Sequence, residues 1–157
     1  MVSPTLLAAT DAHFAWMLGE ADPPGPLRLP PGGVDEAWVL RWLRRNLAAG
    51  AASWLILDGE EVAGLCSHKT APDAEGAAEI GYATAPAHRR RQIATLAIAL
   101  LAAQARADPR LRTLTAETAT TNRPSQRVLE ANGFEAVGGG FDADEGEMIR
   151  WRLAVDR

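Results

Sequence analysis

The run from Glu79 to Thr95, EIGYATAPAHRRRQIAT, constrains this chain more than any other stretch. It begins as a strand, Glu79 to Thr84, and breaks at Pro86. It then passes through a basic turn, His88-Arg89-Arg90-Arg91, into an amphipathic segment that begins at Ile93. Apolar residues at Ile93, Leu96, Ala97, Leu100 and Leu101 follow the spacing of one helix face. A strand that turns straight into a helix start leaves backbone N–H groups and the positive end of the helix dipole pointing at the turn. Arginines beside them add charge, so the turn is built to hold phosphates.

The rest of the chain must support that unit within one domain. A length of 157 residues suits a single domain over 1–157 that buries about two-thirds of its unfolded surface. The net charge of −4 argues against general nucleic-acid binding, where phosphate contacts supply most of the affinity. The arginine cluster is therefore a local feature on an acidic protein. One cysteine, Cys66, excludes an internal disulfide and a cysteine-rich zinc site. His13, His68 and His88 show no metal-ligand spacing, so no metal is expected. The longest apolar run, Ile93 to Ala103, is too short to span a bilayer, and no secretory signal is visible. No membrane partner is expected, and the cytoplasm is the default location.

In chain order, Pro4 to Ala8 reads as a short first strand. Asp11 caps a helix carrying Phe14, Met17 and Leu18 on one face. Asp22 to Gly33, DPPGPLRLPPGG, excludes regular structure, because proline removes donors and glycine favours turns. Asp35 caps a second helix whose buried side carries Val39, Trp42, Leu43 and Leu47. Trp54 to Leu57 and Val62 to His68 flank an Asp58-Gly59 turn and predict a hairpin. A polar loop, Thr70 to Gly76, leads to the central strand, Ala77 to Thr84. Leu111 to Thr118 alternates as a strand. Asn122 and Pro124 then open a short helix that stops at Asn132-Gly133, with glycine in the left-handed position. Phe134 to Val137 and Met148 to Leu153 read as a last pair of strands, joined by an acidic, glycine-rich loop, Gly138 to Gly146. This order implies an α/β (α+β) domain with a mixed sheet flanked by helices.

Two motifs carry a family resemblance. Pro86, Arg89 and Ile93-Ala94-Thr95 resemble the acetyl-CoA pyrophosphate loop of the GNAT superfamily of N-acetyltransferases, Gln/Arg-x-x-Gly-x-Gly/Ala. Here it stands as Arg89-Arg90-Arg91-Gln92-Ile93-Ala94, with Gln92 where glycine is usual. Downstream, Asn122-Arg123-Pro124-Ser125 followed by Gly133-Phe134 is similar to a second motif of the family. In order and spacing the pair resembles the branch that includes ribosomal-protein N-terminal acetyltransferases, over most of the chain and least before about Trp54.

The resemblance implies the GNAT fold: a mostly antiparallel central sheet of six to seven strands with about four helices. It implies acetyl-CoA as donor and, as acceptor, a peptide N-terminus or a small-molecule amine; a family-like homodimer is compatible with it. Arg89, Arg90, Arg91, Gln92, Ile93, Ala94 and Thr95 would surround the pyrophosphate. After a splay at the Ala85-Pro86 bend, backbone groups near Ala83 and Thr84 would meet the pantetheine amides, and Asn122 would bond the same arm. The two N-terminal helices and their stiff loop would cover the acceptor side, as a lid or as a plain cover.

Acetyl transfer from a thioester needs an anchored donor, an amine freed of its proton and a stabilised thiolate. Glu79, opening the central strand, is the first candidate for the base by resemblance, and Glu117 on the next strand is its rival. A carboxylate with a reference pKa of about 4.3 suits an amine only if its surroundings raise it. Ser125 could hydrogen-bond the thiolate, or simply satisfy a first-turn N–H; Asn122 has the same ordinary role as an N-cap. Tyr82 reads as strand packing. Cys66 and His68 share a strand face, as a nucleophile–base pair or as core. The acidic residues Asp142, Asp144, Glu145 and Glu147 form either a lure for a cationic amine or a solvated loop. At Gln92 a side chain replaces the hydrogen that lets pyrophosphate approach closely, so weaker donor binding is expected. The alternative function is a non-catalytic CoA-binding or protein-interaction module on the same fold.

Overall fold

Central strands that are apolar on both faces need cover on both sides, and the two hydrophobic cores follow from that requirement. A computed structural model describes residues 3–156. β1 (Thr5–Ala8), β2 (Ala52–Asp58), β3 (Glu61–His68), β4 (Ala77–Thr84), β5 (Thr113–Ala119), β6 (Glu135–Asp142) and β7 (Gly146–Ala154) form one sheet. Its order is β1-β2-β3-β4-β5-β7-β6, with β4 and β5 parallel and every other pair antiparallel. The helices α1 (Asp11–Met17) and α2 (Ala37–Ala48) cover one face. α3 (Ile93–Ala107) and α4 (Arg123–Ala131) cover the other. Along β2, Leu55 and Leu57 enter the α1/α2 core while Ile56 enters the α3/α4 core. This is the alternation of a strand buried twice over.

The sequence boundaries hold at the centre and shift at the edges. The hairpin at Gly59, the central strand and the α3 start at Ile93 lie where the sequence puts them. Thr10 rather than Asp11 is the α1 N-cap, and Glu36 rather than Asp35 precedes α2; Asp35 instead accepts a 2.8 Å bond from the Glu36 N–H. On α2 the buried residues are Leu40 and Leu43, while Trp42 turns toward an open cavity. On α3 the buried row is Ile93, Ala97, Ile98, Leu101, Ala102 and Ala105, leaving Leu96 and Leu100 exposed. The largest departure is at the end of the chain. Gly138, Gly139 and Gly140 belong to β6 and not to a loop, with a bulge between Ala136 and Gly138. This edge strand is solvated almost throughout, so it needs backbone pairing to β7 and no buried side chains.

The Asp22 to Gly33 segment is irregular as expected and is pinned at one point. Arg28 bridges to Glu61, its N–H bonds the Glu60 carbonyl, and its carbonyl accepts from Val62. No helix among the described residues is long and apolar enough to cross a membrane.

Candidate active site

β4 and β5 part company early. They pair only at Ala77, Ala78 and Glu79; from Ile80 onward β4 keeps its ladder to β3 while β5 stays with β7. The gap therefore opens well before the Ala85-Pro86 bend. The Glu79 carbonyl and the Ala85 N–H bond toward β3. Alternation in an antiparallel ladder then turns the main-chain groups of Gly81 and Ala83 the same way. Those of Ile80, Tyr82 and Thr84 face the gap. Of the two residues expected there, Thr84 presents its backbone, while the main-chain groups of Ala83 turn toward β3.

One cavity, about 480 Å³, lies between the β4–α3 turn and the start of α4. Its wall includes Thr84, Arg89, Arg90, Gln92, Ile93, Ala94 and Thr95. Helix α3 begins here, and Leu96 is the first N–H to find a helical carbonyl, that of Gln92. Among the described residues the N–H groups of Ile93, Ala94 and Thr95 meet no protein acceptor. Three free donors at a helix N-terminus beside two arginines make an anion site. Arg91 takes no part in that wall. It lies 3.1 Å from His88 Nδ1 and 3.4 Å from Asp58.

The turn is braced from behind. His88 is buried, and its Nε2 lies 2.5 Å from Glu61 Oε2. Arginine has only donors, so His88 Nδ1 accepts from Arg91 and Nε2–H donates to Glu61. Asp58 and Glu61 belong to the β2–β3 hairpin, which therefore holds the basic turn in place.

Gln92 explains why glycine is the usual residue at its position. Its backbone is left-handed, with φ 60° and ψ 18°, and Arg90 two residues earlier has φ 65°. A residue with a Cβ pays about 1–2 kcal/mol for this conformation. Glycine avoids that cost but loses about 0.5–1 kcal/mol to its freer unfolded chain. Gln92→Gly should therefore stabilise the fold by up to about 1.5 kcal/mol, raising the melting temperature by at most roughly 3–6 °C. A melting temperature that falls in differential scanning calorimetry would refute this account of the turn.

A second cavity, about 360 Å³, opens on the other face of the sheet beneath α2. Asp35 and Trp42 line it from above, Lys69 and Gly81 from the sheet, and Glu117 and Glu145 from the far side. Burial pushes the Asp35 carboxyl up. Lys69, the cavity's one cation among the described residues, is 2.6 Å from Glu79 Oε2 and is neutralised there. The net field in the cavity is therefore negative. Glu79 itself, the first sequence candidate for a base, is absent from the wall, whereas its rival Glu117 is part of it. Glu145 reaches the wall because a tight turn held by Asp142 replaces the expected long loop.

The two cavities share Tyr82, Ala83, Asn122 and Ser125. Asn122 caps α4 and accepts from the Ser125 N–H at 3.2 Å. The Tyr82 hydroxyl lies 2.7 Å from Ser125 Oγ and donates to the Ser125 carbonyl at 3.0 Å. Sequence spacing could not pair a strand residue with a helix residue this far along the chain. Cys66 and His68 lie apart from both cavities; burial pushes the Cys66 thiol up to about 12, which removes it as a nucleophile.

Residues 6–135 match the family model described as an acetyltransferase (GNAT) domain. No curated protein matches the chain significantly. Among solved structures, the ribosomal L7/L12 α-N-protein acetyltransferase RimL in complex with coenzyme A is similar, with a TM-score of 0.74 at 19% identity. That likeness covers 98% of this chain and 96% of the other. A spermidine N-acetyltransferase chimera, from Vibrio cholerae SpeG and hSSAT, has a TM-score of 0.72 at 15% identity, covering 97% and 95%. The aminoglycoside acetyltransferase AAC(6')-Ib with coenzyme A has a TM-score of 0.70 at 14% identity, covering 97% and 95%. At such identities the likeness establishes a shared fold.

Proposed function

We propose that this chain, which belongs to the GNAT acetyltransferase family and is an acetyl-CoA-dependent N-acetyltransferase, acetylates a primary amine on a cationic acceptor with Glu117 as base. The observation that carries the reading is the meeting of a basic cavity and an acidic one at Tyr82, Ala83, Asn122 and Ser125. The donor occupies the first. Its pyrophosphate takes the free N–H groups of Ile93, Ala94 and Thr95 with Arg89 and Arg90, and its pantetheine amides pair with the backbone of Tyr82 and Thr84. Asn122 and Ser125 flank the thioester end.

The acceptor enters the second cavity. An amine is protonated in neutral water, so a site with Asp35, Glu117 and Glu145 concentrates the ammonium form before chemistry begins. One carboxylate must then take a proton as the nitrogen attacks. Glu117 faces that cavity, while the Glu79 carboxylate is occupied by its 2.6 Å pair with Lys69. Glu117 takes one proton from the ammonium, the freed lone pair on nitrogen bonds to the carbonyl carbon, the C–S bond breaks with its electron pair on sulfur, and the second nitrogen proton leaves to water. Ser125 Oγ–H stabilises the thiolate.

Thermal melting with acetyl-CoA, desulfo-CoA and ATP tests the donor site. Ligand at about a hundred times its dissociation constant adds roughly 2.7 kcal/mol. In a domain of this size that raises the melting temperature by about 5–10 °C. The expected result is a shift with both CoA ligands and little with ATP. Equal shifts for all three would reduce the site to a general anion patch. Thiol release against a panel of mono- and polycationic amines then reads the acceptor, and preference for neutral-bodied amines would sink the cationic reading.

A further inference from the structure

We propose that Tyr82 is a positioning residue for the leaving group: through its hydroxyl it turns the Ser125 O–H onto the thioester sulfur. The inference rests on the donor site described above. Tyr82 is the chain's one tyrosine, and it reaches Ser125 from the opposite wall, strand β4 to helix α4. Both residues line both cavities, so their paired hydroxyls stand where donor and acceptor meet.

The Tyr82 hydroxyl has two acceptors within reach, Ser125 Oγ at 2.7 Å and the Ser125 carbonyl at 3.0 Å. It has a single proton, so the pair has two arrangements. In one, Tyr82 donates to the carbonyl and Ser125 donates to Tyr82, and neither proton is free. In the other, Tyr82 donates to Ser125 Oγ and releases the serine proton toward the cavity. Sulfur that gains negative charge selects the second arrangement. Hydrogen bonds to an ion are roughly twice as strong as neutral ones, and successive hydroxyls polarise each other. The switch needs only rotation about two C–O bonds, with no heavy-atom movement.

Tyr82 breaks no bond in this scheme. Burial pushes its phenol up from the ordinary tyrosine value, so it stays protonated and remains a donor throughout the working range. As the C–S bond breaks, the electron pair settles on sulfur, the Ser125 O–H holds the thiolate, and water supplies the final proton as CoA leaves.

Binding can test this without knowledge of the acceptor. The affinities of CoA and desulfo-CoA are measured by calorimetry from about pH 7 to about 9.5, a range over which the thiolate fraction of the ligand rises steadily. Wild type, Tyr82→Phe, Ser125→Ala and the double variant are compared. Wild type should prefer CoA over desulfo-CoA increasingly as the thiol ionises. Tyr82→Phe, which keeps the ring, should cut that preference about tenfold at the alkaline end, the worth of one hydrogen bond to an ion. In the Ser125→Ala background it should cut nothing further, and desulfo-CoA affinity should be constant across all four. An unchanged preference in Tyr82→Phe, or a further tenfold loss in the double variant, would overturn the inference. So would a parallel loss of desulfo-CoA affinity, which marks a packing effect. Wild type that binds both ligands without any sulfur preference overturns this inference alone. Wild type that binds neither ligand sinks the donor site and this inference with it.

Discussion

Glu117→Gln lowers kcat by about two to three orders of magnitude, the usual worth of a positioned general base. It leaves the dissociation constant for acetyl-CoA within about twofold, because Glu117 lines the cavity beneath α2 and is absent from the wall of the one at the α3 start. Glutamine keeps the size and one hydrogen-bonding oxygen, so the fold is undisturbed. Glu79→Gln is the necessary companion. It removes the pairing with Lys69, whose two side chains are each 34% exposed, so the stability at stake is at most about 1 kcal/mol. Its effect on kcat should stay under about tenfold, coming from a freed Lys69 that makes the cavity less acidic. Steady-state thiol release with saturating acetyl-CoA measures both. A larger loss in Glu79→Gln than in Glu117→Gln would return the base to the strand opening, where the family resemblance first put it.

Gly64→Ala is the change with the greatest expected effect on the fold. Gly64 sits on β3 opposite Thr84, and a Cβ there would stand 2.4 Å from the Ala83 carbonyl oxygen. No flexible side chain can yield, because the obstacle is backbone. β4 must move, and overpacking of this kind costs about 1–3 kcal/mol. The melting temperature should fall by roughly 2–12 °C. The displaced segment is the one whose Tyr82 and Thr84 groups face the gap between β4 and β5, so acetyl-CoA affinity should weaken along with stability if the proposed donor site is right. Gly138→Ala is the control, since a Cβ there meets nothing within 4 Å. A Gly64→Ala protein that melts with wild type would show that β4 is not tightly held against β3 at this point.

The central unit was legible in the sequence because its signals are local. A strand of alternating burial, a proline, a basic turn and a 3.6-residue period occupy consecutive residues, and each follows from the backbone's own preferences. The α4 start was legible for the same reason: Asn122 caps, Pro124 fits the first turn, and Gly133 takes the left-handed exit at φ 82°. The Gly138 to Gly146 loop was misread because glycine signals a turn only when the backbone has no partner. Here β7 supplies one, and an edge strand exposed to water can be built from glycine. Trp42 was misplaced because helical period gives the spacing of a face but not which neighbour fills it. A cavity, not core, stands opposite.

By itself the sequence determined the fold class, the basic turn that opens α3, the cap of α4 and the kind of donor. All of these depend on residues within a turn or two of each other. Only the tertiary structure decided which carboxylate faces the cavity beneath α2, that Arg91 braces His88 instead of lining the cavity at the α3 start, and that Tyr82 meets Ser125. Those outcomes depend on where β4 leaves β5 and on how α2 and α4 lie against the gap. Such placement comes from packing on both faces of the sheet, and no run of neighbouring residues encodes it.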